Sequence, residues 1–341
     1  MTKTILVTGG AGFIGHHFIE HILVNTDWNI VNLDRLDFSG NYNRLHELSE
    51  SHSPDVMKRL RCIFHDLRAE INPHVAKMIG DVDIVAHLAA GSHVDRSITQ
   101  PIDFVMDNVV GTANILDYAR KVDNLERFVY FSTDEVFGPA LDGSCFSEYD
   151  RYNATNPYSA SKAGGEELVV AYENTYGLPA IITHTMNVFG ERQHPEKFVP
   201  LCAKKVMDNE TVYIHADPRT MVPGTRHYVD ARDVAEAVLF LLTEVDYSKL
   251  PAPPRGASIQ KFNVAGTTAI SNLDMAKLIA EHQGKELKYE LAAIPSNRPG
   301  HDLHYSLDGT RMADMGWKAN SPYTRMQEVL DWTIANKRWL Q

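Results

Sequence analysis

The chain contains 341 residues, 44% of them hydrophobic, which is enough for one large domain or for two closely joined ones. Its formal net charge of −11 argues against nucleic acid as a partner, because a phosphate backbone requires a basic face. Three widely spaced cysteines give neither a metal pattern nor a disulfide framework, no apolar run has membrane-spanning length, and the chain starts with a strand rather than a signal peptide. We therefore expect a cytoplasmic protein without a metal and without membrane contact.

A nucleotide-binding loop is predicted at the start of the chain. Residues 3–7 form a short run with β-branched side chains, which predicts a buried strand, and residues 8–15 read Thr-Gly-Gly-Ala-Gly-Phe-Ile-Gly. Between a strand and a helix, this glycine spacing is typical of dinucleotide sites, because it lets the backbone approach a pyrophosphate and places helix N–H groups beside it. The predicted contacts with the dinucleotide are Gly9, Gly12, Phe13, Ile14 and Gly15.

The second apolar run ends at Asp34, about 20 residues after the loop, where a carboxylate binds the ribose hydroxyls of NAD. Such a carboxylate repels the additional phosphate of NADP. Arg35 follows directly, however, and an arginine at this place can tolerate NADP. The carboxylate favours NAD, and NADP stays open as an alternative.

Strand-like and helix-like segments alternate through the first half of the chain. Apolar runs that predict strands lie at residues 4–7, 29–33, 60–64, 83–88, 127–132 and 179–185, and helical patterns cover residues 101–121 and 157–176. This alternation predicts an α/β fold, a Rossmann-type doubly wound parallel sheet with ligands at the carboxyl ends of its strands. Candidate cofactor contacts follow the third, fourth and fifth strands: Asp66, Leu67, Leu88, Ala89, Ala90 and Ser132.

The chain is predicted to contain two regions. Residues 1–190 are expected to form the NAD-binding Rossmann domain, and residues 191–341 a smaller C-terminal α/β region that binds the substrate, because loop-like stretches rich in proline, glycine or charge begin after about residue 190. Residues 226–245 again resemble a strand end followed by a helix, so we expect them to return to the first domain.

Tyr158 and Lys162 stand one helical turn apart on the same face of a predicted helix. A tyrosine with its ordinary pKa of about 10 is a poor base at neutral pH, and a neighbouring ammonium group is expected to lower that pKa. Tyr158 can then accept the proton of a substrate hydroxyl while the carbon gives its hydride to NAD, and Thr133 holds the same oxygen. The adjacent Asp134 and Glu135 add a second acid and a second base, which a simple dehydrogenase does not need.

Histidines beside the glycine loop do not predict a metal site. His17 and His21 have the i, i+4 spacing of a helical metal pair, but no glutamate adjoins the first of them and no third ligand is evident. We therefore interpret these two residues and His16 as part of a solvated helix face.

Several motifs together resemble one family over nearly the whole chain. They are Thr8 to Gly15, Leu88-Ala-Ala-Gly-Ser-His-Val-Asp-Arg-Ser-Ile98, Ser132-Thr-Asp-Glu-Val-Phe-Gly138, Tyr158 to Lys162, Asn187-Val-Phe-Gly190, His194-Pro-Glu-Lys197 and Arg298-Pro-Gly-His-Asp302. The sequence resembles the extended short-chain dehydrogenases/reductases and, more closely, the nucleotide-sugar 4,6-dehydratases typified by dTDP-glucose 4,6-dehydratase.

The resemblance implies a dehydration inside a closed redox cycle on an NDP-glucose, with dTDP-glucose preferred. C4 of the sugar is oxidised, Glu135 removes the C5 proton, Asp134 protonates the leaving C6 hydroxyl, and the hydride returns to C6 to give an NDP-4-keto-6-deoxyglucose and regenerated NAD. A UDP-sugar 4-epimerase or decarboxylase of the same superfamily, or UDP- or CDP-glucose as the substrate, stays open. An epimerase or a decarboxylase has no use for Asp134 and Glu135 together.

The resemblance also implies ligand contacts and an oligomeric state. Asp66 is expected to contact adenine, and Asn108 and Lys162 the nicotinamide ribose. The expected substrate contacts are Ser92, His93, Asn187, Glu196, Lys197, Arg226 and His301. The helices at 101–121 and 157–176 are expected to form a homodimer contact.

Two positions depart from the family pattern. Gly91 stands where the family usually has a glutamate, in the motif that begins at Leu88. Gly224 stands where the family's diphosphate-binding arginine normally occurs. A diphosphate favours an arginine fork nearby, so we expect Arg226 or Arg219 to supply this charge.

Overall fold

The computed structural model describes residues 2–140, 144–254, 257–293 and 304–341. In these ranges the strands are β1 (Thr4–Thr8), β2 (Asn29–Asp34), β3 (Leu60–Phe64), β4 (Ile84–His87), β5 (Arg127–Thr133), β6 (Ala180–Thr185), β7 (Val188–Phe189), β8 (Val212–Ala216), β9 (Thr225–His227), β10 (Val229–Asp230), β11 (Gln260–Val264), β12 (Ala269–Ser271) and β13 (Tyr289–Ala293). The helices are α1 (Phe13–Asn25), α2 (Tyr42–Ser51), α3 (Pro54–Met57), α4 (Pro73–Ile79), α5 (Val94–Thr99), α6 (Pro101–Val105), α7 (Gly111–Ala119), α8 (Pro157–Tyr176), α9 (Phe198–Met207), α10 (Ala231–Thr243), α11 (Asn272–His282), α12 (Thr310–Asp314) and α13 (Pro322–Ala335). A π-helical turn, Met106–Val110, joins α6 to α7, and 3-10 turns lie at Asp134–Phe137 and Lys337–Leu340.

A parallel sheet forms the centre of the fold. Among the described residues it has seven strands, in the order β11-β6-β5-β4-β1-β2-β3. This order confirms the predicted Rossmann-type doubly wound sheet, and the six strands predicted from apolar runs are β1 to β6. The seventh strand, β11, pairs with β6 and was not predicted. Its buried residues include Lys261 and Asn263, which interrupt the apolar pattern on which the prediction depended.

The strand order reverses between β1 and β4, so the loops after these two strands meet at the topological switch point of the sheet. Gly9 lies in the first of these loops with a φ of +74°, and a Cβ at this position would lie 2.7 Å from the backbone of Ala89 in the second. Both the positive φ and the close approach exclude a side chain here. Glycine is therefore required at position 9 because the loops after β1 and β4 pack closely together at this edge of the sheet.

Alternate residues of the strands bury two apolar layers, one on each face of the sheet. In β1, Ile5 and Val7 belong to the layer that contains side chains of α1 and α10, whereas Leu6 belongs to the layer with α7 and α8. Phe262 of β11 packs in the first layer. Residues from the second half of the chain thus complete the core around the sheet.

A smaller apolar cluster lies outside the sheet. It contains side chains of β8, α9, α11 and α13, such as Ile214, Val206, Ile279 and Leu330. Next to it β8 pairs with β13, and β9 pairs antiparallel with β12. The predicted boundary at residue 190 stays a prediction. No helix in the described part of the chain has the length and apolarity to cross a bilayer.

The helix predicted at residues 101–121 is interrupted by the π turn between α6 and α7. Asn108 lies in this turn and is buried. Its side-chain amide donates to the Gly91 carbonyl at 3.0 Å and to Oγ of Ser161 at 2.8 Å, and its side-chain oxygen accepts from the Gly91 N–H at 2.8 Å. Asn108 therefore ties the loop after β4 to α8, and π turns of this kind are frequent near functional sites.

A buried carboxylate fixes α8 against the sheet. Glu166 is fully buried and accepts hydrogen bonds from Ser132 of β5 and from Tyr152. Nε2 of His184 on β6 lies 3.2 Å from its carboxylate, and Nζ of Lys261 on β11 lies 3.5 Å away. Burial alone would raise the Glu166 pKa, but the contacts with His184 and Lys261 outweigh it and lower the pKa to about 2.

Removing this carboxylate is expected to destabilise the protein. Glu166→Ala should lower the free energy of unfolding by about 3–5 kcal/mol, because the buried Lys261 loses its counter-charge. Glu167→Ala, on the exposed face of the same helix, is the matched control and should change it by less than about 0.5 kcal/mol. Urea denaturation measures both values. Similar small losses in the two variants would contradict a stabilising role for the buried carboxylate.

Candidate active site

A cavity of about 730 Å³ lies along the carboxyl ends of the central strands. The predicted site residues that line it are Gly9, Gly12, Phe13, Ile14, Gly15, Asp34, Asp66, Leu67, Leu88, Ala89, Ala90, Ser92, His93, Ser132, Thr133, Asp134, Glu135, Tyr158, Lys162, Asn187, Glu196, Lys197 and Arg226. Asn108 is not a lining residue, because its amide is engaged behind the loop after β4. His301 lies outside the described residues. The fold thus brings the predicted cofactor, catalytic and substrate residues to one place.

The glycine loop fits the diphosphate of a dinucleotide. Gly12 begins α1 without a side-chain cap, and the first turn of the helix contains no acidic residue. A Cβ on Gly15 would lie 2.2 Å from the Gly9 carbonyl oxygen, so the helix start packs directly on the loop. The N-terminal N–H groups and the positive end of the helix dipole are therefore presented at the cavity, as an anionic diphosphate requires.

Asp34 is held in one orientation at the same end of the cavity. Its Oδ2 accepts from the Ala11 N–H at 2.9 Å, and its Oδ1 accepts from the Leu36 N–H at 2.8 Å. Burial raises the pKa of Asp34. The carboxylate is thus fixed between the glycine loop and the end of β2, where the ribose of NAD is expected.

His16 and His17 are buried, so their interpretation as a solvated helix face was wrong. They are 0% and 3% exposed, and the His17 ring contacts the Glu191 carbonyl at 3.1 Å. The helix α10 packs against α1, which local sequence spacing does not reveal. Burial lowers the pKa of both histidines, that of His17 to about 3. Within the described ranges, no cluster of three or more His, Cys, Asp or Glu is arranged for a metal ion.

Tyr158 and Lys162 both lie on α8 and line the cavity. Lys162 donates from Nζ to the Phe131 carbonyl at 2.6 Å, and burial lowers its pKa to about 7. Burial raises the pKa of Tyr158, and the Glu135 carboxylate raises it further, while a hydrogen bond with Thr133 acts in the opposite direction. The expectation that Lys162 lowers this pKa was therefore wrong, because burial and the carboxylate dominate.

The adjacent carboxyl groups of Asp134 and Glu135 have different surroundings. Asp134 is 5% exposed, and burial followed by repulsion from Glu135 raises its pKa to about 7. Its Oδ1 accepts from the Thr133 hydroxyl at 3.1 Å, and its Oδ2 is buried without a hydrogen-bond partner among the described residues. Glu135 instead accepts from the side-chain amide of Asn156 at 3.0 Å. Asp134 thus keeps its proton to a much higher pH than an ordinary aspartic acid does.

Asn156 is a site residue that the sequence analysis missed. Its side-chain oxygen caps α8 by accepting from the Ser159 N–H at 2.9 Å, while its side-chain NH2 donates to Glu135. An asparagine before a proline is a helix-start signal that sequence can show. The contact with Glu135 is not visible in sequence, because it depends on where the turn after β5 packs against the start of α8.

Predicted substrate residues face one another across the cavity. In the loop after β4, His93 lies 3.3 Å from the Glu196 carboxylate, and the Ser92 carbonyl accepts from Nζ of Lys197 at 3.4 Å. Burial lowers the pKa of Lys197. Asn187 has a φ of +37°, a value uncommon for residues other than glycine but one that asparagine adopts more readily than most.

Of the two candidate diphosphate arginines, Arg226 lines the cavity and Arg219 does not. Arg226 is 8% exposed and its guanidinium lies 4.8 Å from the centre of the Tyr305 ring. Arg219 is exposed. The position of Arg226 therefore agrees better with a diphosphate contact, which stays a prediction.

Comparison with known proteins decides the family. Residues 5–253 match the NAD dependent epimerase/dehydratase family. The chain belongs to this family. A relative named dTDP-glucose 4,6-dehydratase from Salmonella typhimurium is 32% identical, over 98% of this chain and 94% of its own. The predicted family resemblance and the predicted cofactor NAD are confirmed.

Solved structures of family members share the whole fold. The dTDP-glucose 4,6-dehydratase DesIV from Streptomyces venezuelae, solved with NAD bound, has a TM-score of 0.84 and 30% identity over 99% of both chains. The UDP-glucose 4-epimerase of Thermus thermophilus, also in complex with NAD, has a TM-score of 0.80 and 25% identity over 96% of this chain and 98% of its own. One fold thus carries both reaction types.

The raised pKa of Asp134 predicts a pH-dependent stability. The folded protein keeps this proton up to about pH 7, whereas the unfolded chain releases it near the ordinary pKa of 3.8, so the stabilisation is present at low pH and is lost as the pH rises through 7. Between pH 5 and pH 8 this difference corresponds to about 3 kcal/mol. Asp134→Asn cannot titrate and should lose less stability over the same range, as measured by urea denaturation. Identical pH profiles for the variant and the wild type would contradict the assigned pKa.

Proposed function

We propose that the protein is an NDP-glucose 4,6-dehydratase, a lyase that uses bound NAD, with dTDP-glucose as its preferred substrate and an NDP-4-keto-6-deoxyglucose as its product. The observation that carries this proposal is the pair of unlike carboxyl groups. Asp134, with a pKa of about 7, and Glu135, held by an amide, line the same cavity as Tyr158 and Lys162.

In the first half-reaction the sugar is oxidised at C4. Tyr158 accepts the proton of the C4 hydroxyl, and the Thr133 hydroxyl holds the same oxygen. Because burial and the Glu135 carboxylate raise the Tyr158 pKa, this role requires the positive charges of Lys162 and of bound NAD⁺ to stabilise the phenolate. Lys162, with a pKa of about 7, is available as an ammonium group on the turn after the tyrosine. NAD⁺ held by the glycine loop and Asp34 would supply the acceptor for the C4 hydride and, once reduced, the hydride donor for C6.

In the second half-reaction water is lost. The new C4 carbonyl makes the C5 proton acidic, and Glu135 removes it as the base. Asp134 gives its proton to the C6 hydroxyl, which leaves as water. The resulting double bond would then be reduced by hydride at C6, while Glu135 returns to C5 the proton that it removed. A carboxyl group with a pKa near 7 suits the acid role, because a large fraction of it carries a proton at neutral pH and it donates that proton readily.

A 4-epimerase or decarboxylase acting on a UDP-sugar is the alternative within the family. Such an enzyme also oxidises C4, and Tyr158 and Lys162 would serve it equally well. It has no leaving hydroxyl at C6 to protonate. The buried, proton-bearing Asp134 beside Glu135 therefore favours dehydration. UDP-glucose and CDP-glucose are the alternative dehydratase substrates.

We also propose that the protein is a cytoplasmic homodimer that pairs through α6 and α8. Ile102 and Val105 on α6 are 71% and 42% exposed, and Tyr176 near the end of α8 is 54% exposed. Apolar side chains on neighbouring helices suit a two-fold contact, in which the same patch occurs on both copies. Sedimentation of the purified protein tests this proposal, and a monomer at micromolar concentration would rule the contact out.

The proposed reaction is tested by its products. Incubation with dTDP-glucose should release water and give a 4-keto-6-deoxy sugar, without accumulation of NADH, because the redox cycle closes on itself. Mass spectrometry follows the loss of water, and absorbance at 340 nm follows NADH. UDP-glucose, CDP-glucose and GDP-glucose are compared in parallel. Formation of a C4 epimer with no loss of water would replace the dehydratase proposal with the epimerase one.

The two carboxyl roles are separated by a substrate with fluorine at C6, whose departure needs less acid assistance. Asp134→Asn should lose at least about 100-fold in kcat on the normal substrate and recover part of it on the fluorinated one. Glu135→Gln should show a similar loss and no recovery, because removal of the C5 proton is still required. Both replacements keep side-chain volume. Equal recovery in the two variants, or recovery in neither, would overturn the assigned roles.

A further inference from the structure

Arg35, the residue because of which NADP stayed an alternative cofactor in the sequence analysis, is already paired with carboxylates. Arg35 follows Asp34 directly and lines the cavity. Its guanidinium forms a two-pronged pair with Asp107, from Nη1 to Oδ1 at 2.6 Å and from Nη2 to Oδ2 at 3.0 Å. Its Nε donates to Asp37 at 2.8 Å, and Nη1 lies 3.4 Å from Asp66. All three nitrogens of this arginine therefore already face carboxylates.

A second arginine is held by the same aspartate. Arg68, in the loop after β3, donates from Nε to Oδ1 of Asp107 at 2.7 Å. The Asp107 side chain is 10% exposed and belongs to the π turn that joins α6 and α7. This one carboxylate thus bridges two guanidinium groups that line the cavity at the end where Asp34 is fixed. A third arginine there, Arg44, donates instead to backbone carbonyls.

We propose that Asp107 determines the preference for NAD over NADP by occupying Arg35 and Arg68. An arginine beside the ribose carboxylate is the usual means of accommodating the 2′-phosphate of NADP. Here the paired geometry that would suit a phosphate is filled by the Asp107 carboxylate. A 2′-phosphate would have to displace Asp107 while lying among Asp34, Asp37 and Asp66.

The inference depends on the NAD site of the family and not on dehydration. A carboxylate such as Asp34 at the end of the second strand is the usual basis for selecting NAD, because it repels the 2′-phosphate of NADP. Asp107 adds a different effect, because it removes the attraction that two nearby guanidinium groups would otherwise offer. Its removal should therefore raise the affinity for NADP while leaving the Asp34 contacts, and hence the affinity for NAD, largely unchanged.

The test measures bound cofactor rather than turnover. The full-length protein is equilibrated with equal concentrations of NAD⁺ and NADP⁺, freed of unbound nucleotide and denatured, and the released cofactors are quantified by mass spectrometry. Asp107→Asn should increase the ratio of bound NADP to bound NAD by about 10- to 100-fold relative to the wild type, because two charge-assisted contacts become available. Asp103→Asn is the matched control. Asp103 lies one turn earlier, is 52% exposed and approaches only Arg68, at 3.6 Å, so its ratio should change by less than about 2-fold.

Two further variants keep the proposal open to refutation even if Asp107→Asn folds poorly. Arg35→Gln in the wild-type background should leave the NADP to NAD ratio nearly unchanged, because this arginine is already occupied. Arg35→Gln combined with Asp107→Asn should remove most of the gain. The proposal is overturned by an unchanged ratio in Asp107→Asn, by an equal gain in Asp103→Asn, or by a large fall in NADP binding in Arg35→Gln alone. Failure of the dehydration assay would leave all of these binding ratios unaffected.

Discussion

The position of α8, the helix that carries Tyr158 and Lys162, depends on the buried carboxylate of Glu166. This residue lies one turn after Lys162 on α8, and its partners come from three different strands of the sheet: Ser132, His184 and Lys261. Burying a carboxylate costs free energy unless cations and hydrogen-bond donors surround it. The helix is therefore stable only in the position that brings Glu166 to these partners. The same charge favours the protonated form of Lys162, against the effect of burial. The Glu166 carboxylate thus holds α8 against the sheet and also raises the pKa of Lys162 on the same helix.

Carboxylates in this protein differ in chemistry because their partners differ. Glu166 faces Lys261 and His184, and its pKa falls to about 2. Asp134 is equally buried but has a carboxylate neighbour, and its pKa rises to about 7. Burial opposes ionisation in both cases, so the sign of the nearest charge decides which group is an anion and which is an acid. This contrast explains how two buried acidic side chains within one fold can have pKa values that differ so widely.

The sequence predicted the features that local patterns determine. Strands β1 to β6 are continuous apolar runs, because a parallel sheet is covered on both faces, and the site motifs lie at their carboxyl ends. Features set by distant packing were not predicted. The strand β11 was missed because Lys261 and Asn263 are buried through partners elsewhere, and His16 was wrongly placed on a solvated face because its burial depends on residues distant in sequence, such as Arg44 and Arg192. The direction of the Tyr158 pKa depends on burial, which residue spacing does not report.

At both ends of the cavity, the groups next to a carboxyl side chain determine its electrostatic character. At the ribose end, Asp107 lies between two guanidinium groups, so its charge is neutralised and theirs are withheld from a ligand. At the sugar end, Asp134 has a hydroxyl and a like charge for neighbours, so its proton is retained and can be given away. The net charge of −11 is therefore not evidence about the cavity. The partners of each carboxyl group, and not the net charge of the chain, therefore decide what charge each end of the cavity presents.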